Sequence, residues 1–249
     1  MPMLRTVLAA SSLLLIAGCA GSSSTETSNM TIEPSTLQAT LAERQAAFSQ
    51  RADDATKRDY AEGIQAVRDA RTTELARTVG DSAPLFALPD HTGRSVALRD
   101  VLDRGPAIVV WYRGGWCPYC NLTLAAYQPY LEDIRRLGGT LIAISPELPD
   151  QTAETVTANG LDFVVLSDLG NQVARDYGIV FDLTPAVHRR FNAGFGLDAH
   201  NGQESGQLPL AATYVIDTDG RITWAFLDAD YRKRAEPSEV IHALRAASR

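Results

Sequence analysis

Two cysteines stand two residues apart within VVWYRGGWCPYCNLTL, which covers residues 109–124. Cys117 and Cys120 follow a run of β-branched and aromatic residues and precede a stretch whose apolar residues have helical spacing. The pattern predicts that the pair lies at a helix N-terminus, where free N–H groups and the helix dipole favour a thiolate over a thiol. Because the thiolate is the reactive nucleophile, spacing and location together indicate a redox centre.

Two structural roles fit the pair less well. A disulfide that closes so short a loop stabilises a protein by roughly 2 kcal/mol before strain is subtracted. A structural zinc site usually needs a second Cys or His pair, and the histidines lie far apart in the chain, at His91, His188, His200 and His242. The sequence contains no evident nucleotide loop, flavin motif or metal-binding cluster, so we expect neither a cofactor nor a metal.

The N-terminus has the pattern of an export signal. Arg5 precedes an apolar run from Val7 to Ala17, which is shorter than the 20 or so residues that span a bilayer and typical of a signal peptide. The residues IAGC, ending at Cys19, resemble a bacterial lipobox, which implies cleavage before Cys19 and its lipidation. The alternative is a plain signal peptide with an incidental cysteine.

The expected location follows from this resemblance. Ala20 rather than Asp follows Cys19, which favours the outer membrane among lipoproteins of this type. We therefore expect a protein of the bacterial cell envelope that faces the periplasm and contacts the membrane through its lipid anchor only. Disulfides persist in that oxidising compartment. The net charge of −7, with interspersed acidic and basic residues, argues against a nucleic-acid partner.

The sequence divides into four segments, of which the last contains the cysteines. We predict a signal peptide at 1–18, the lipidated cysteine and a Ser/Thr-rich flexible tether at 19–36, a helical arm at 37–79 and a globular domain at 80–249. The arm reads as one long helix or as two helices broken around Arg51 to Lys57, with apolar residues at helical spacing.

Within the domain, strands and helices alternate. PAIVVWY, TLIAISPE and DFVVLSD are typical of buried strands. We predict a helix over 121–139 that is kinked at Pro129, a hairpin that turns at Asp219-Gly220, and a last helix with Pro237 in its first turn. Residues 181–210 read as an irregular, Gly-rich insertion. This alternation predicts an α/β fold with a sheet covered by helices on both faces.

Five segments also occur in the order found in peroxiredoxins. They are VGDSAPLFALPDHTG, VVWYRGGWCPYC, LIAISPE, FVVLSDLGNQVARDYGI and ATYVIDTDGRI. From about Gly80 to Arg249 the chain resembles the alkyl hydroperoxide reductase / thiol-specific antioxidant family, in its peroxiredoxin-like branch with a CxxC motif. The resemblance implies a thioredoxin-like fold, a central mixed sheet flanked by helices, here preceded by the helical arm.

The resemblance also implies a reaction. A peroxidatic thiolate attacks hydrogen peroxide or an organic hydroperoxide and becomes a sulfenic acid, a second thiol condenses with it, and a thioredoxin-like or other thiol reductant reopens the disulfide. In this chain the second thiol would be the other member of the pair.

The peroxiredoxin motif and the thioredoxin motif, each aligned with this sequence, assign the attacking cysteine differently. In the peroxiredoxin register Cys120 takes the peroxidatic position, Cys117 takes the place of a threonine and Arg113 the place of a proline. The thioredoxin pattern instead makes Cys117 the exposed nucleophile. We slightly favour Cys120 for peroxide and Cys117 for attack by an external reductant, and the sequence leaves both assignments open.

The chain departs from the family pattern around this pair. The arginine expected just before TYVID is replaced by Ala211, and Pro209 lies two residues early for the cis-proline of thioredoxin-like relatives. Arg113 is a candidate for the missing positive charge, although a surface or ion-paired arginine fits equally well. These departures affect the expected peroxidase efficiency more than the redox activity.

Three further residues are candidates for a substrate pocket together with Arg113. Trp116 and Tyr119 flank the cysteines and either line such a pocket or only cover the edge of the sheet. Thr123 occupies a position where relatives often have an acidic or amide residue. Trp111 and Tyr112 lie in the predicted strand and fit the core better.

The sequence thus favours an enzyme, an envelope thiol peroxidase. The alternative is a thiol–disulfide oxidoreductase of thioredoxin type, such as a lipoprotein reductase that serves cytochrome c maturation. A third reading is a binding or scaffold lipoprotein that keeps the fold without turnover.

Overall fold

A computed structural model describes residues 36–248 of the chain. The predicted signal peptide at 1–18, the lipidation site Cys19 and nearly all of the predicted tether therefore lie outside the described residues. Among residues 36–248, no helix is both long enough and apolar enough to cross a bilayer.

The strands of the described residues are β1 Ala87–Pro89, β2 Ser95–Ala97, β3 Ala107–Trp111, β4 Thr140–Ser145, β5 Val164–Ser167, β6 Val180–Asp182, β7 Gln207–Pro209, β8 Thr213–Ile216 and β9 Ile222–Phe226. Five of them form a mixed sheet at the centre, in the strand order β5-β4-β3-β8-β9, and two small antiparallel pairs, β1-β2 and β6-β7, lie outside it.

Helices precede the sheet, connect its strands and end the chain. They are α1 Leu37–Arg51, α2 Asp54–Asp69, α3 Thr72–Leu75, α4 Leu98–Leu102, α5 Pro118–Tyr127, α6 Leu131–Arg136, α7 Pro149–Asn159, α8 Gln172–Asp176, α9 Pro185–Phe195, α10 Leu197–Asn201 and α11 Pro237–Ala247.

The central strand β3 is buried from end to end because every residue in AIVVW is apolar. It runs parallel to β4 and antiparallel to β8. Successive side chains point to opposite faces of the sheet, so Val109 and Trp111 join one core cluster while Ile108 and Val110 join the other. Helices cover both faces, which confirms the predicted α/β architecture.

The N-terminal helices form two separate elements. Asp53 caps α2, its carboxylate accepting the backbone N–H of Thr56 at 2.7 Å, which starts a new helix just after α1 ends at Arg51. Of the two readings of the sequence, the break is confirmed and the single long helix is wrong. Buried Leu41 from α1 and Val67 from α2 join the same core cluster as β3, so both helices pack over one face of the sheet.

The predicted kink at Pro129 is confirmed. A short 3₁₀ turn, Gln128–Tyr130, separates α5 from α6, because proline supplies no N–H for the helical ladder.

The prediction that residues 181–210 are an irregular insertion is wrong. Thr184 caps the eleven-residue helix α9, its hydroxyl accepting the N–H of Val187. Pro185 occupies the first helical turn, and Gly196 ends the helix with a φ of 68°. The apolar residues Val187 and Phe191 lie one turn apart and are buried, so this segment packs onto the domain as ordered structure.

Candidate active site

The turn after β3 places both cysteines at the start of α5. Cys117 is the N-cap residue and Pro118 opens the helix, with Cys120 in its first turn. Both thiols are free and fully buried. The backbone N–H of Arg113 points at the Cys120 sulfur at 3.4 Å, so the turn brings a main-chain donor to one thiol while the N-terminus of α5 faces the other.

A buried arginine contacts the first cysteine. Arg113 Nη2 lies 2.9 Å from Cys117 Sγ, and the residue is only 3% exposed. Its guanidinium lies over the ring of Tyr231 at 3.7 Å from the centroid, with Phe191 at 4.9 Å. Of the two alternatives for Arg113, this geometry corresponds to the charge beside the thiols and not to a surface ion pair.

A second guanidinium, which the sequence analysis missed, reaches the other cysteine. Arg234 Nη2 lies 3.5 Å from Cys120 Sγ, and the residue is 3% exposed. Arg234 stands in the loop between β9 and α11, 114 residues beyond Cys120. Ala211, at the position where an arginine was expected, is buried and apolar, so in this chain the second positive charge comes from a different loop.

These contacts separate the two thiols electrostatically. Burial opposes a charge on Cys117, but the hydrogen bond from Cys120 and the positive charges of Arg113 and Arg234 outweigh it and hold the pKa of Cys117 well below its ordinary value. Burial, the hydrogen bond to Cys117 and repulsion by its charge raise the pKa of Cys120 well above that value. The thiolate is therefore favoured at Cys117, opposite to our sequence preference for Cys120 as the attacking group.

Aromatic rings from α1, α2 and α9 surround Arg113, together with rings from the cysteine turn, by which we mean the residues between β3 and the first turn of α5. They enclose about 370 Å³ of partly open space, which we call the aromatic cavity; its ring residues include Phe48, Tyr60, Trp116, Tyr119, Phe191 and Phe195. Trp116 and Tyr119 thus occupy the pocket side of the cysteines, where the sequence analysis placed them. Arg44 from α1 and Arg113 add two positive charges to the same wall.

Thr123 has a different environment. It is buried in α5, and its hydroxyl donates to the backbone carbonyl of Tyr119 at 2.7 Å. The side chain is not part of the aromatic cavity wall, so the structure brings Arg113, Trp116 and Tyr119 together around the pair but leaves Thr123 apart from them.

A buried carboxylate fixes the turn between β3 and α5. Glu147 is fully buried, and its Oε1 accepts the N–H of Gly115 at 2.9 Å and lies 3.1 Å from His200 Nδ1. A Cβ on Gly115 would clash with Thr155 Oγ1, which explains a glycine in this turn. His200, which the sequence analysis treated only as an isolated histidine, thus ties α10 to the cysteine turn.

No group of three or more His, Cys, Asp or Glu side chains within residues 36–248 is arranged to hold a metal ion. The described site is instead two thiols, two guanidinium groups and aromatic rings, a set suited to thiolate chemistry.

Comparisons with known proteins point to one family. Residues 79–225, more than half of the chain, match the model of the AhpC/TSA family. A provisionally named peroxiredoxin of Mycobacterium tuberculosis strain CDC 1551 / Oshkosh is 32% identical over 155 residues, which are 62% of this chain and 87% of the relative. Peroxiredoxin Bcp of Escherichia coli K12 is 29% identical over 149 residues, 60% of this chain and 85% of the relative.

A solved structure supports the same fold. The crystal structure of peroxidoxin BcpB from Mycobacterium tuberculosis superposes with a TM-score of 0.54 at 21% sequence identity and covers 68% of this chain and 97% of its own. This likeness confirms the thioredoxin-like architecture expected from the sequence.

Proposed function

The chain belongs to the AhpC/TSA family, and we propose that it is a thiol peroxidase that works through Cys117 and Cys120. The observation that carries this proposal is the contact of 2.9 Å between the Arg113 guanidinium and the Cys117 sulfur. A thiolate held by a cation at a helix N-terminus is the nucleophile that peroxide reduction requires.

In the proposed reaction the Cys117 thiolate attacks one peroxide oxygen. The S–O bond forms as the O–O bond breaks, and the leaving alkoxide or hydroxide takes a proton to become an alcohol or water. The Cys120 thiol then attacks the Cys117 sulfenic acid, the two sulfurs form a disulfide, and water leaves. Arg113 stabilises the negative charge on Cys117 before attack.

A thiol reductant must supply two electrons to reopen the disulfide. The family resemblance favours a thioredoxin-like protein in this role, with hydrogen peroxide or organic hydroperoxides as the oxidising substrates. The enzyme is then a peroxide-reducing oxidoreductase that needs no bound cofactor.

Stopped-flow fluorescence tests the proposal. The full-length chain in mild detergent, carrying Cys19→Ser so that Cys117 and Cys120 are its remaining thiols, is reduced and mixed with hydrogen peroxide. We expect rapid oxidation, its loss in Cys117→Ser, and a stable sulfenic acid in Cys120→Ser. Oxidation no faster than that of a free thiol would contradict the proposal, and loss of attack only in Cys120→Ser would reverse the two roles.

The family match favours the peroxidase over the alternative thiol–disulfide oxidoreductase of thioredoxin type. Stopped-flow kinetics distinguish the peroxidase from the thiol–disulfide oxidoreductase. A disulfide-exchange enzyme would oxidise slowly with peroxide but rapidly with a disulfide-bonded peptide, and a scaffold lipoprotein would react rapidly with neither.

We also propose that the protein is a lipoprotein of the bacterial envelope. The basis is the sequence alone: Arg5, the apolar run from Val7 to Ala17, and the lipobox-like residues that end at Cys19. Metabolic labelling with radioactive palmitate should mark the wild-type chain in the outer-membrane fraction. Cys19→Ser should remove the label; label that persists in this variant would contradict lipidation at Cys19.

A further inference from the structure

We propose that the aromatic cavity binds a small thiol that carries a carboxylate, and that this thiol reduces the Cys117–Cys120 disulfide. The inference rests on the proposed function, because it assigns a reductant class to the same redox pair. It replaces the expectation of a protein reductant with a low-molecular-weight one.

The cavity wall is positively charged and contains unpaired hydrogen-bond donors. Its charged residues are Arg44 and Arg113, and no carboxylate contributes to its wall. Four buried donor atoms of its lining residues have no hydrogen-bond partner within the described residues: Arg44 Nε, Arg113 Nε, Trp116 Nε1 and Tyr119 Oη. Because buried polar groups normally find a partner, this concentration of free donors fits a ligand that brings acceptors and negative charge.

Oxidation of the cysteine pair changes the charge beside Arg113. In the reduced protein the Cys117 thiolate lies 2.9 Å from Arg113. Disulfide formation removes that negative charge and leaves a nearly fully buried guanidinium without its counter-ion, which is energetically costly. A ligand carboxylate in the cavity would restore the ion pair. The oxidised protein should therefore bind such an anion more tightly than the reduced protein does.

Aromatic packing restricts access to the two sulfurs. Both sulfurs are fully buried, and Trp116 packs against Phe191 and Phe195 of α9 with ring centroids 5.2 and 5.6 Å apart. Phe48 of α1 stacks on Tyr60 of α2 beside them. A protein reductant would have to displace these helices. The partly open cavity, lined mostly by aromatic rings, instead fits the entry of a small molecule.

The reduction balances with two equivalents of the thiol. The ligand thiolate attacks Cys117 Sγ, a new S–S bond forms, and the Cys117–Cys120 bond breaks. Cys120 leaves as a thiolate beside Arg234 and the N–H of Arg113 and takes up a proton. A second ligand thiolate attacks the ligand sulfur of the mixed disulfide, releases the ligand disulfide and restores the Cys117 thiolate.

Matched probes test the charge requirement. The full-length Cys19→Ser protein is oxidised with diamide, so that no peroxide step is involved, and reduced with glutathione or with glutathione diethyl ester at equal thiolate concentration. We expect glutathione to react at least about tenfold faster, because its carboxylates can form charge-assisted hydrogen bonds with the guanidinium groups of the cavity. Arg44→Gln should remove most of this preference, while Arg51→Gln, which changes an exposed arginine on the same helix, should retain it.

Binding of S-methylglutathione, which cannot react, tests the redox coupling by calorimetry. It should bind the oxidised protein at least about tenfold more tightly than the reduced protein. Each of three results would overturn the inference. They are equal reduction rates with glutathione and its ester, equal binding of S-methylglutathione to both redox states, and faster reduction by a bacterial thioredoxin than by millimolar glutathione.

The outcomes also separate this inference from the proposed function. If peroxide oxidises the pair but reduction shows no preference for the carboxylate, only the reductant class is wrong. If the preference is present but peroxide reacts no faster than with a free thiol, the binding site stands and the peroxidase proposal fails.

Discussion

Arg113 and Cys117 form a buried contact in which Nη2 lies 2.9 Å from Sγ, while Arg234 lies 3.5 Å from Cys120. Each sulfur of the pair thus has its own guanidinium, supplied by a different part of the chain. The shorter contact belongs to the cysteine whose pKa is lowered. We expect these geometric differences to control the reactivity of Cys117 and the stability of the folded protein.

Replacing Arg113 by Met should raise the pKa of Cys117 and slow its oxidation by peroxide at neutral pH. Loss of the nearby positive charge removes a cause of the lowered pKa, so the oxidation rate should fall by roughly tenfold at pH values below the raised pKa. Thiolate absorbance and oxidation rate, each measured against pH, should move together, and the rate should recover in alkali. Arg234→Met is the matched control with a smaller effect; equal shifts in both variants would contradict the assignment.

The stability of the reduced protein should depend on pH through the pair. The folded pKa of Cys117 is lowered, so the unfolded chain binds more protons and the free energy of unfolding rises with pH up to the unfolded thiol pKa of about 8.5. This contribution is lost as pH falls through the lowered pKa. Cys120 acts oppositely because its folded pKa is raised, and stability should decline above about pH 8.5.

Urea unfolding under reducing conditions at a series of pH values measures this profile. The double variant Cys117→Ser/Cys120→Ser is the reference, because it removes the interacting pair and shares the other titrating groups. The wild-type curve minus the reference curve should rise up to about pH 8.5 and decline above it; a flat difference would show that the pair titrates alike in the folded and unfolded states.

Glu147→Gln should destabilise the protein by about 1–3 kcal/mol, because a buried charge-assisted hydrogen bond to Gly115 N–H becomes a weaker neutral one. The His200 side chain is 25% exposed, so His200→Gln should cost less. Urea unfolding measures both. If His200→Gln lowered the free energy of unfolding more than Glu147→Gln does, the histidine and not Gly115 would be the main partner of the carboxylate.

Gly63 of α2 lies against Val187 of α9. An added Cβ would lie 2.7 Å from Val187 Cγ2, so Gly63→Ala should destabilise the protein by about 1–3 kcal/mol through overpacking. In a Val187→Ala background the space is open, and the same substitution should become stabilising by up to about 1 kcal/mol because alanine favours the helix.

A double-mutant cycle by thermal or urea unfolding measures this change of sign. If Gly63→Ala has the same effect in both backgrounds, the two helices do not pack as the structure describes.

The sheet was predictable because strands such as β3 and β4 are mostly apolar runs separated by a helical segment. Helix α9 carried a readable signal, Thr184-Pro185 at its start and Gly196 at its end, but the density of glycines nearby suggested a loop. The position of Arg234 beside Cys120 had no local signal at all. It depends on tertiary packing that brings a loop 114 residues away onto the pair, and spacing within a sequence does not encode such contacts.

Part of the wall that covers the reacting sulfurs belongs to a different part of the chain from the sulfurs themselves. The cysteines are held by β3 and α5, and Trp116 and Tyr119 beside them contribute to the wall. The other covering rings come from the N-terminal helices and from α9, none of which adds a strand to the five-stranded sheet. Evolution or design can therefore exchange the cover without disturbing the frame that fixes the thiols. Selectivity for the oxidant and the reductant can then change while the residues that hold the thiols stay the same.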